Sequence, residues 1–339
     1  MGDEEQGPPV ECVCGLYMSA KKRGKFAAFV KRARELGLLV HDVDLDGEPI
    51  RQEDQVPLEG KLGGGGGRVC YAILHKITDD ISAAPSDPAS QRRLANFSVY
   101  TGLNAAAVLI DPLPGILPLL SRTDMQRALE ASIARHSVGV KVPRWARLDA
   151  QTGEGPTAGQ RLASSPLQPP YLVKCDLACG HEMAHAMSIL GEAGQLDALP
   201  QYRGHALTVQ EFVNHGGTIF KVYVMGGGRH VVRRVSLRDY APDQGVLSFH
   251  SHDMKAHCAP PESLHMSLSE EQEEAVGRLC GALSGDLSLT LFGVDVIMAP
   301  ATGELFAIDV NYFPGYDGVP DMHGKLAEHI MGMARAHQG

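Results

Sequence analysis

Two stretches of this sequence hold residues whose types and spacing could do chemistry. The first is GHEMAH, residues 180–185. His181-Glu182-x-x-His185 is the pattern in which two histidines one helical turn apart hold zinc and the glutamate activates water. Cys175 and Cys179 widen the metal reading, because CDLACGHEMAH offers four soft or borderline ligands within one short segment. The second is LTLFGVDVIMAPATGELFAIDVNYFPGY, residues 289–316. Two strand-like runs, residues 291–298 and 305–310, flank Ala301-Thr302-Gly303-Glu304, which predicts a β-hairpin. A turn centred between Thr302 and Gly303 sets Asp295 opposite Asp309, and Asn311, two residues on, shares their face. Opposed carboxylates in apolar strands repel, so something positive should sit between them. Two carboxylates and an amide oxygen are hard ligands of the kind magnesium takes, with substrate phosphates and water completing its shell. A local reading stays open beside this one, in which Asp295 caps or salt-bridges nearby and Asp309-Asn311 only begin a turn.

A magnesium site with few protein ligands implies a nucleotide, so cations should converge on it. Lys174 ends the apolar run YLVKC, and Lys221 sits in TIFKVYV between aromatic and β-branched neighbours. A lysine in such a strand either snorkels at an edge or is aimed at an anion. Between them lies VQEFVNHGG, where residues 210–213 offer backbone groups to a purine edge. Near the amino terminus, SAKKRGKF gathers Lys21, Lys22, Arg23 and Lys25 at a helix start. Cations there oppose the helix dipole unless an anion is bound, although a solvated basic surface reads equally well.

The elements that must carry these groups follow from hydrophobic period. Residues 12–18 read as a buried strand, 22–36 as a helix with Phe26, Phe29, Val30 and Ala33 on one face, and 38–43 as a strand after Gly37, a β-α-β opening. Residues 69–75 and 106–111 supply two further strands. The glycine run 63–67 leads to Arg68-Val69 rather than Lys-Ser/Thr, so it reads as a surface linker and not a phosphate loop. Three prolines within residues 111–118 mark a junction, followed by a helix over 122–136. Residues 151–170 read as a loop. Residues 171–174, 207–213, 218–225 and 231–235 are expected as strands of one antiparallel sheet, and 270–283 and 321–336 as helices. The fold class is α+β, with a doubly wound, α/β amino-terminal piece.

At 339 residues the chain is long for one core, and two or three domains are expected. A hydrophobic share of 44% with 21% charged residues describes a soluble globular protein. A net charge of -9 argues against nucleic-acid or anionic-membrane partners, which need a basic face. No apolar run is long enough to span a bilayer, and the acidic start MGDEEQGPPVE lacks the chemistry of an export signal. The seven cysteines are therefore expected as reduced thiols in the cytoplasm.

With these residues in hand, the chain resembles the inositol-tetrakisphosphate 1-kinase family, also called inositol 1,3,4-trisphosphate 5/6-kinases. SAKKRGKF, ILHKITD, VLIDPLPGI, QEFVNHGGTIFKVYVMG, LFGVDVI and IDVNYFPGY occur in that order. The resemblance implies an ATP-grasp fold, with a Rossmann-like domain over residues 1–111, a central ATP-grasp domain over 112–209 and a carboxy-terminal one over 210–339, together enclosing the nucleotide. It implies that Asp295, Asp309 and Asn311 hold magnesium, two ions in all. Arg122, Lys174, Gln210, Lys221, Ser236 and Ser251 fall where the family binds ATP, the co-substrate, with Glu211, Phe212 and Val213 meeting adenine through backbone. Lys22, His185, Lys221, Asn311 and Gly315 fall at or beside the inositol polyphosphate. Lys174, Lys221, Asp309 and Asn311 would be catalytic, in a monomeric kinase making an in-line phosphoryl transfer. The chain departs from the family pattern at Cys175, Asp176, Cys179, Gly180 and His181, where a loop of small and polar residues is usual.

The zinc readings weaken in that setting. A peptidase of the extended HExxH type needs Gly where Ser188 stands and His where Gly191 stands, and a knot of Cys175, Cys179, His181 and His185 lacks paired-knuckle spacing. A non-catalytic inositol-phosphate sensor on the same fold is the remaining rival, against which the paired aspartates argue.

Overall fold

The computed structural model describes residues 10–47, 69–151, 154–180, 182–251 and 253–338. The glycine run 63–67, His181 and most of the acidic amino-terminal stretch lie outside them, as do the side chains of Lys21 and Lys25. The chain forms two compact units. The first takes the described residues up to Pro112, Met225–Gly228 and those from Gly315 onward; the second takes Leu113–Val224 and Arg229–Pro314.

In the first unit, β1 (Cys12–Tyr17) is buried along its whole length. It pairs in parallel with β2 (Leu38–Asp42) and β3 (Cys70–His75), and β4 (Val108–Ile110) joins beyond β3, giving the order β2-β1-β3-β4. A strand shielded on both faces can be continuously apolar, which is why residues 12–17 carry no alternation. The helix expected over 22–36 is broken into α1 (Ala20–Arg23), a 3₁₀ turn at Gly24–Phe26 and α2 (Ala27–Glu35), and it stops at Gly37 with φ of 86°. Then come α3 (Thr78–Ala83) and α4 (Pro88–Leu103), the latter capped by Asp87, which accepts from the Ala89 and Ser90 amides ahead of Pro88.

The second unit begins with α5 (Leu113–Ile116) and α6 (Arg122–His136), whose Ser121 cap and left-handed Ser137 fix both ends. It continues through β5 (Trp145–Leu148), α7 (Ala158–Ala163), β6 (Tyr171–Cys175), β7 (Ala186–Leu190) and β8 (Leu207–Glu211). Next are β9 (Thr218–Met225), β10 (Gly228–Val235), β11 (Leu247–His250), α8 (Glu270–Leu287), β12 (Leu291–Met298) and β13 (Leu305–Tyr312). The last helix, α9 (Met322–Gln338), packs on α2, β3 and β4 of the first unit.

The single sheet expected from residues 171–174, 207–213, 218–225 and 231–235 is two sheets. A five-stranded sheet runs β11-β7-β6-β8-β5, and a four-stranded sheet runs β10-β9-β12-β13. The chain leaves one and enters the other at Gly216 and Gly217, which adopt φ of 57° and 70°, values that favour glycine. On β6 and β8 side chains alternate. Tyr171, Val173, Cys175, Leu207 and Val209 join the core with Leu162 and Leu190, which leaves Lys174, Thr208 and Gln210 on the other face.

Candidate active site

The hairpin β12–β13 sets Asp295 directly opposite Asp309 and Gly293 opposite Asn311. The register slips by one residue between Asp295 and Val296, a bulge that starts at the aspartate pair, so the hairpin is not evenly laddered from turn to site. Lys221 projects from β9, the neighbouring strand, and its Nζ lies 2.9 and 2.7 Å from the two Asp295 carboxylate oxygens. Asn311 donates from Nδ2 to Asp309 Oδ2 at 2.9 Å, which leaves its carbonyl oxygen as the group for a cation. Burial pushes the Asp295 carboxyl above its ordinary range; Lys221 pulls it back and the Asp309 charge pushes it up again. For Lys221 burial works against the charge, but Asp295 and then Asp309 outweigh it and hold the ammonium above its ordinary range. The local reading thus has a real ion pair in it. One lysine nonetheless leaves the second carboxylate of the pair to be balanced.

Two more cations converge from the five-stranded sheet and α6. Lys174 is buried on β6 and donates to Gln210 Oε1 at 2.7 Å. Burial, and then the Arg122 charge, push its ammonium down to about 8, against the pull of Asp309 and Asp295. Arg122, buried in the first turn of α6, reaches from Nη2 to the Ala184 carbonyl at 2.8 Å and lies 3.7 Å from Asp309 through Nη1. Gln210 Nε2 and Arg122 Nε are buried donors with no hydrogen-bond partner. A native interior rarely leaves such donors unpaired unless something else meets them. Three cations and two unspent donors around two facing carboxylates make a place for an anion bridged to the carboxylates by a hard cation. The donor set fits magnesium: two carboxylates and one amide oxygen, few enough for the ion to keep positions for phosphate oxygens and water.

Sequence reasoning missed the residue that holds these pieces together. The Asp176 carboxylate accepts from Ser121 Oγ at 3.1 and 3.2 Å, the Thr123 amide at 2.8 Å and Thr208 Oγ1 at 2.9 Å, and its backbone carbonyl accepts from the Arg122 amide at 2.7 Å. Burial opposes its charge, yet the Thr123, Thr208 and Ser121 donors outweigh that and hold the carboxyl below its ordinary range. Asp176 thereby pins the start of α6, and with it Arg122, to the end of the strand that carries Lys174. Its only signal in the sequence was its place in the atypical loop.

GHEMAH is not a helical zinc grip among the described residues. Glu182–His185 form one 3₁₀ turn that runs straight into β7, and the His185 Nδ1 meets Ser251 Oγ at 3.0 Å. Burial pushes the Cys175 thiol up to about 11, against the thiolate that zinc requires. His185 and Ser251, expected at the inositol phosphate and at ATP respectively, are therefore bonded to each other. Ser236, at the end of β10, meets His215 Nε2 at 2.9 Å. The amides of Glu211 and Phe212 are spent on the Arg144 and Pro170 carbonyls, and the Glu211 carboxylate accepts from the Gln168 amide, so a purine edge would meet residues 211–213 at other backbone groups. Lys22 and Gly315 belong to the first unit, where Lys22 is ion-paired with Asp79 at 2.5 Å.

Known proteins bear directly on this arrangement. Residues 136–332 match the family model of the inositol 1,3,4-trisphosphate 5/6-kinase ATP-grasp domain. An inositol-tetrakisphosphate 1-kinase of Xenopus laevis is 31% identical over 336 residues, covering 93% of this chain and 77% of the relative. One of Danio rerio is 29% identical with the same coverage of 93% and 77%. Solved structures share the fold at lower identity. The D-cycloserine synthetase DcsG aligns with a TM-score of 0.57 at 14% identity, over 94% of this chain and 99% of its own. The ATP-grasp ligase PsnB, complexed with a minimal precursor, gives 0.57 at 16% identity over 96% and 100%. A hairpin carrying paired aspartates, lysines from two sheets converging on it, this fold and this degree of sequence match agree: the chain belongs to the inositol 1,3,4-trisphosphate 5/6-kinase family of ATP-grasp proteins.

Proposed function

We propose that this chain is an ATP-dependent inositol polyphosphate kinase. It transfers the γ-phosphoryl group of ATP to a hydroxyl of an inositol tris- or tetrakisphosphate, with 1,3,4-trisphosphate 5/6-kinase and 3,4,5,6-tetrakisphosphate 1-kinase activities. The observation that carries this reading is the Asp295–Asp309 pair in register, with Lys221 on one carboxylate and Arg122 and Lys174 facing the site. Asp295, Asp309 and Asn311 would hold two magnesium ions, which when bound neutralise the β- and γ-phosphates. Lys174 and Arg122 would bind and orient the same phosphates, and anion binding offsets the cost that burial sets on the Lys174 charge. Lys221, held 2.7 and 2.9 Å from the Asp295 oxygens, would meet the transferring group. The reaction needs no covalent enzyme intermediate, so alignment and fixed charge supply the rate.

On the inositol phosphate side we assign His185 and Asn311 in the second unit, and Lys22 and Gly315 in the first. Gln210, Ser236, Ser251 and the backbone of residues 211–213 complete the nucleotide side. We read residues 1–111 as a Rossmann-like domain and 112–209 and 210–339 as the two ATP-grasp domains, although β11 completes the five-stranded sheet and the residues from Gly315 onward join the first unit. We read the protein as a cytoplasmic monomer whose seven cysteines are kept reduced. Among the described residues no helix is long and apolar enough to cross a membrane. Incubation with ATP, Mg²⁺ and inositol tris- and tetrakisphosphates, with products placed by NMR, tests the reading. New phosphomonoesters are expected; turnover of none of them would favour the sensor.

A further inference from the structure

The geometry points to His215 as a positioning residue that leaves the Ser236 hydroxyl able only to accept a hydrogen bond, and to a ribose hydroxyl of the nucleotide as the donor it accepts from. The inference rests on the nucleotide reading above and adds which nucleotide group is met, and why.

His215 lies in the NHGG turn between β8 and β9 and is only 3% exposed. The turn is held on the segment that follows β10. Asn214 Nδ2 donates to the Tyr240 carbonyl at 3.1 Å while the Tyr240 amide donates back to Asn214 Oδ1 at 2.8 Å. Asp239 Oδ1 accepts from the His215 and Gly216 amides at 2.9 and 2.8 Å, and the Ser236 amide donates to the Gly217 carbonyl at 2.7 Å. The ring therefore has one seat.

Two contacts fix its proton. Nδ1 lies 2.9 Å from the Val213 carbonyl oxygen, which has no proton to give, so Nδ1 must carry one. Burial holds the imidazole below its ordinary pKa, against the Val213 bond and the Asp239 charge, and keeps it neutral. Nε2 is then bare, and Ser236 Oγ at 2.9 Å must donate to it. A hydroxyl has one proton, and this one is spent. Toward any ligand Ser236 offers lone pairs alone.

That polarity selects the partner. Phosphate oxygens and the purine ring nitrogens are acceptors and would meet lone pair with lone pair, whereas the ribose hydroxyls and the adenine 6-amino group donate, and the reading above gives the adenine edge to the backbone of residues 211–213. Position agrees. Ser236 is tied to Gly217, four residues ahead of Lys221 on the same run of chain, roughly 13 Å at about 3.3 Å per residue. With the terminal phosphates at Lys221 and Asp295, that distance passes the triphosphate and reaches the sugar.

Equilibrium binding of ATP, 2′-deoxy-ATP and 3′-deoxy-ATP with Mg²⁺ tests this without any inositol phosphate. The wild-type chain should bind one deoxy analogue roughly five- to tenfold more weakly than ATP, the loss of one neutral hydrogen bond. Ser236→Ala should bind ATP as weakly as that analogue and show no preference. His215→Asn, whose amide can still donate to Val213 but cannot reach Ser236, should relax the preference to within about twofold. Tight wild-type binding of ATP and both analogues alike, or a preference that survives Ser236→Ala, would overturn the ribose assignment. An undiminished preference in His215→Asn would overturn the role of His215. No binding of ATP at all would remove the kinase reading along with this one, an outcome distinct from the others.

Discussion

Replacing Lys174 with methionine should make the chain more stable and at the same time poor at holding nucleotide. Lys174 is buried, and burial with the nearby Arg122 charge takes its ammonium from 10.5 down to about 8. That drop means the charged form costs roughly 3 kcal/mol in the unliganded site. Methionine keeps the length and the packing but leaves Gln210 Oε1 without its donor, a penalty of about 1–2 kcal/mol. The net expectation is a gain of about 1–2 kcal/mol in urea unfolding at pH 7, with ATP affinity lowered by roughly a hundredfold or more. The sign with pH follows from the direction of the shift. Because the folded-state value lies below 10.5, the unfolded chain holds this proton more tightly between about pH 8 and 10.5. Wild-type stability therefore rises through that window and the advantage of the variant fades. Wild-type ATP affinity should move the other way, falling as pH passes about 8 and the ammonium proposed to meet phosphate is lost. Lys174→Met that is clearly destabilised at pH 7, or that binds ATP as wild type does, would refute the reasoning.

Three further outcomes follow from local geometry. Gly115→Ala would drive a Cβ into the Leu287 carbonyl oxygen and push α5 off the end of α8, costing about 2–3 kcal/mol in chemical denaturation. Ser269→Ala removes the capping box it makes with Gln272 at the start of α8, and should cost about 1 kcal/mol by thermal melting with ATP affinity unchanged. If His185 donates to a substrate phosphate as proposed, His185→Ala should lower kcat/KM for the inositol phosphate by roughly tenfold or more in steady-state assays.

The hairpin was the most legible part of the molecule. Period-two alternation and a four-residue turn were enough to bring Asp295 to Asp309, because a ladder allows few other registers. The bulge beside Asp295 was not visible, since nothing in Val296, Ile297 or Ile308 marks a skipped pairing. The parallel sheet of the first unit was also readable, as each strand is a short apolar run bounded by turn residues. Strand-to-sheet assignment failed in the second unit because β6, β8, β9 and β10 look alike locally, and only the two positive-φ glycines at 216 and 217 separate them. The Asp176 network was hidden for a different reason: its donors come from Ser121, Thr123 and Thr208, far apart in sequence, and an aspartate in a loop gives no sign of its partners. GHEMAH, whose zinc reading the sequence already weighed against, stands on a 3₁₀ turn where that pattern requires an α-helix.

The most direct test of the central claim is turnover of an inositol tris- or tetrakisphosphate with ATP and Mg²⁺ by the wild-type chain and by Asp309→Asn. The substitution keeps size and hydrogen bonding and removes one of the two facing charges. Wild-type phosphorylation is expected, with a fall of roughly 10³ in the variant and its fold intact by circular dichroism. Asp309→Asn within tenfold of wild type would contradict it.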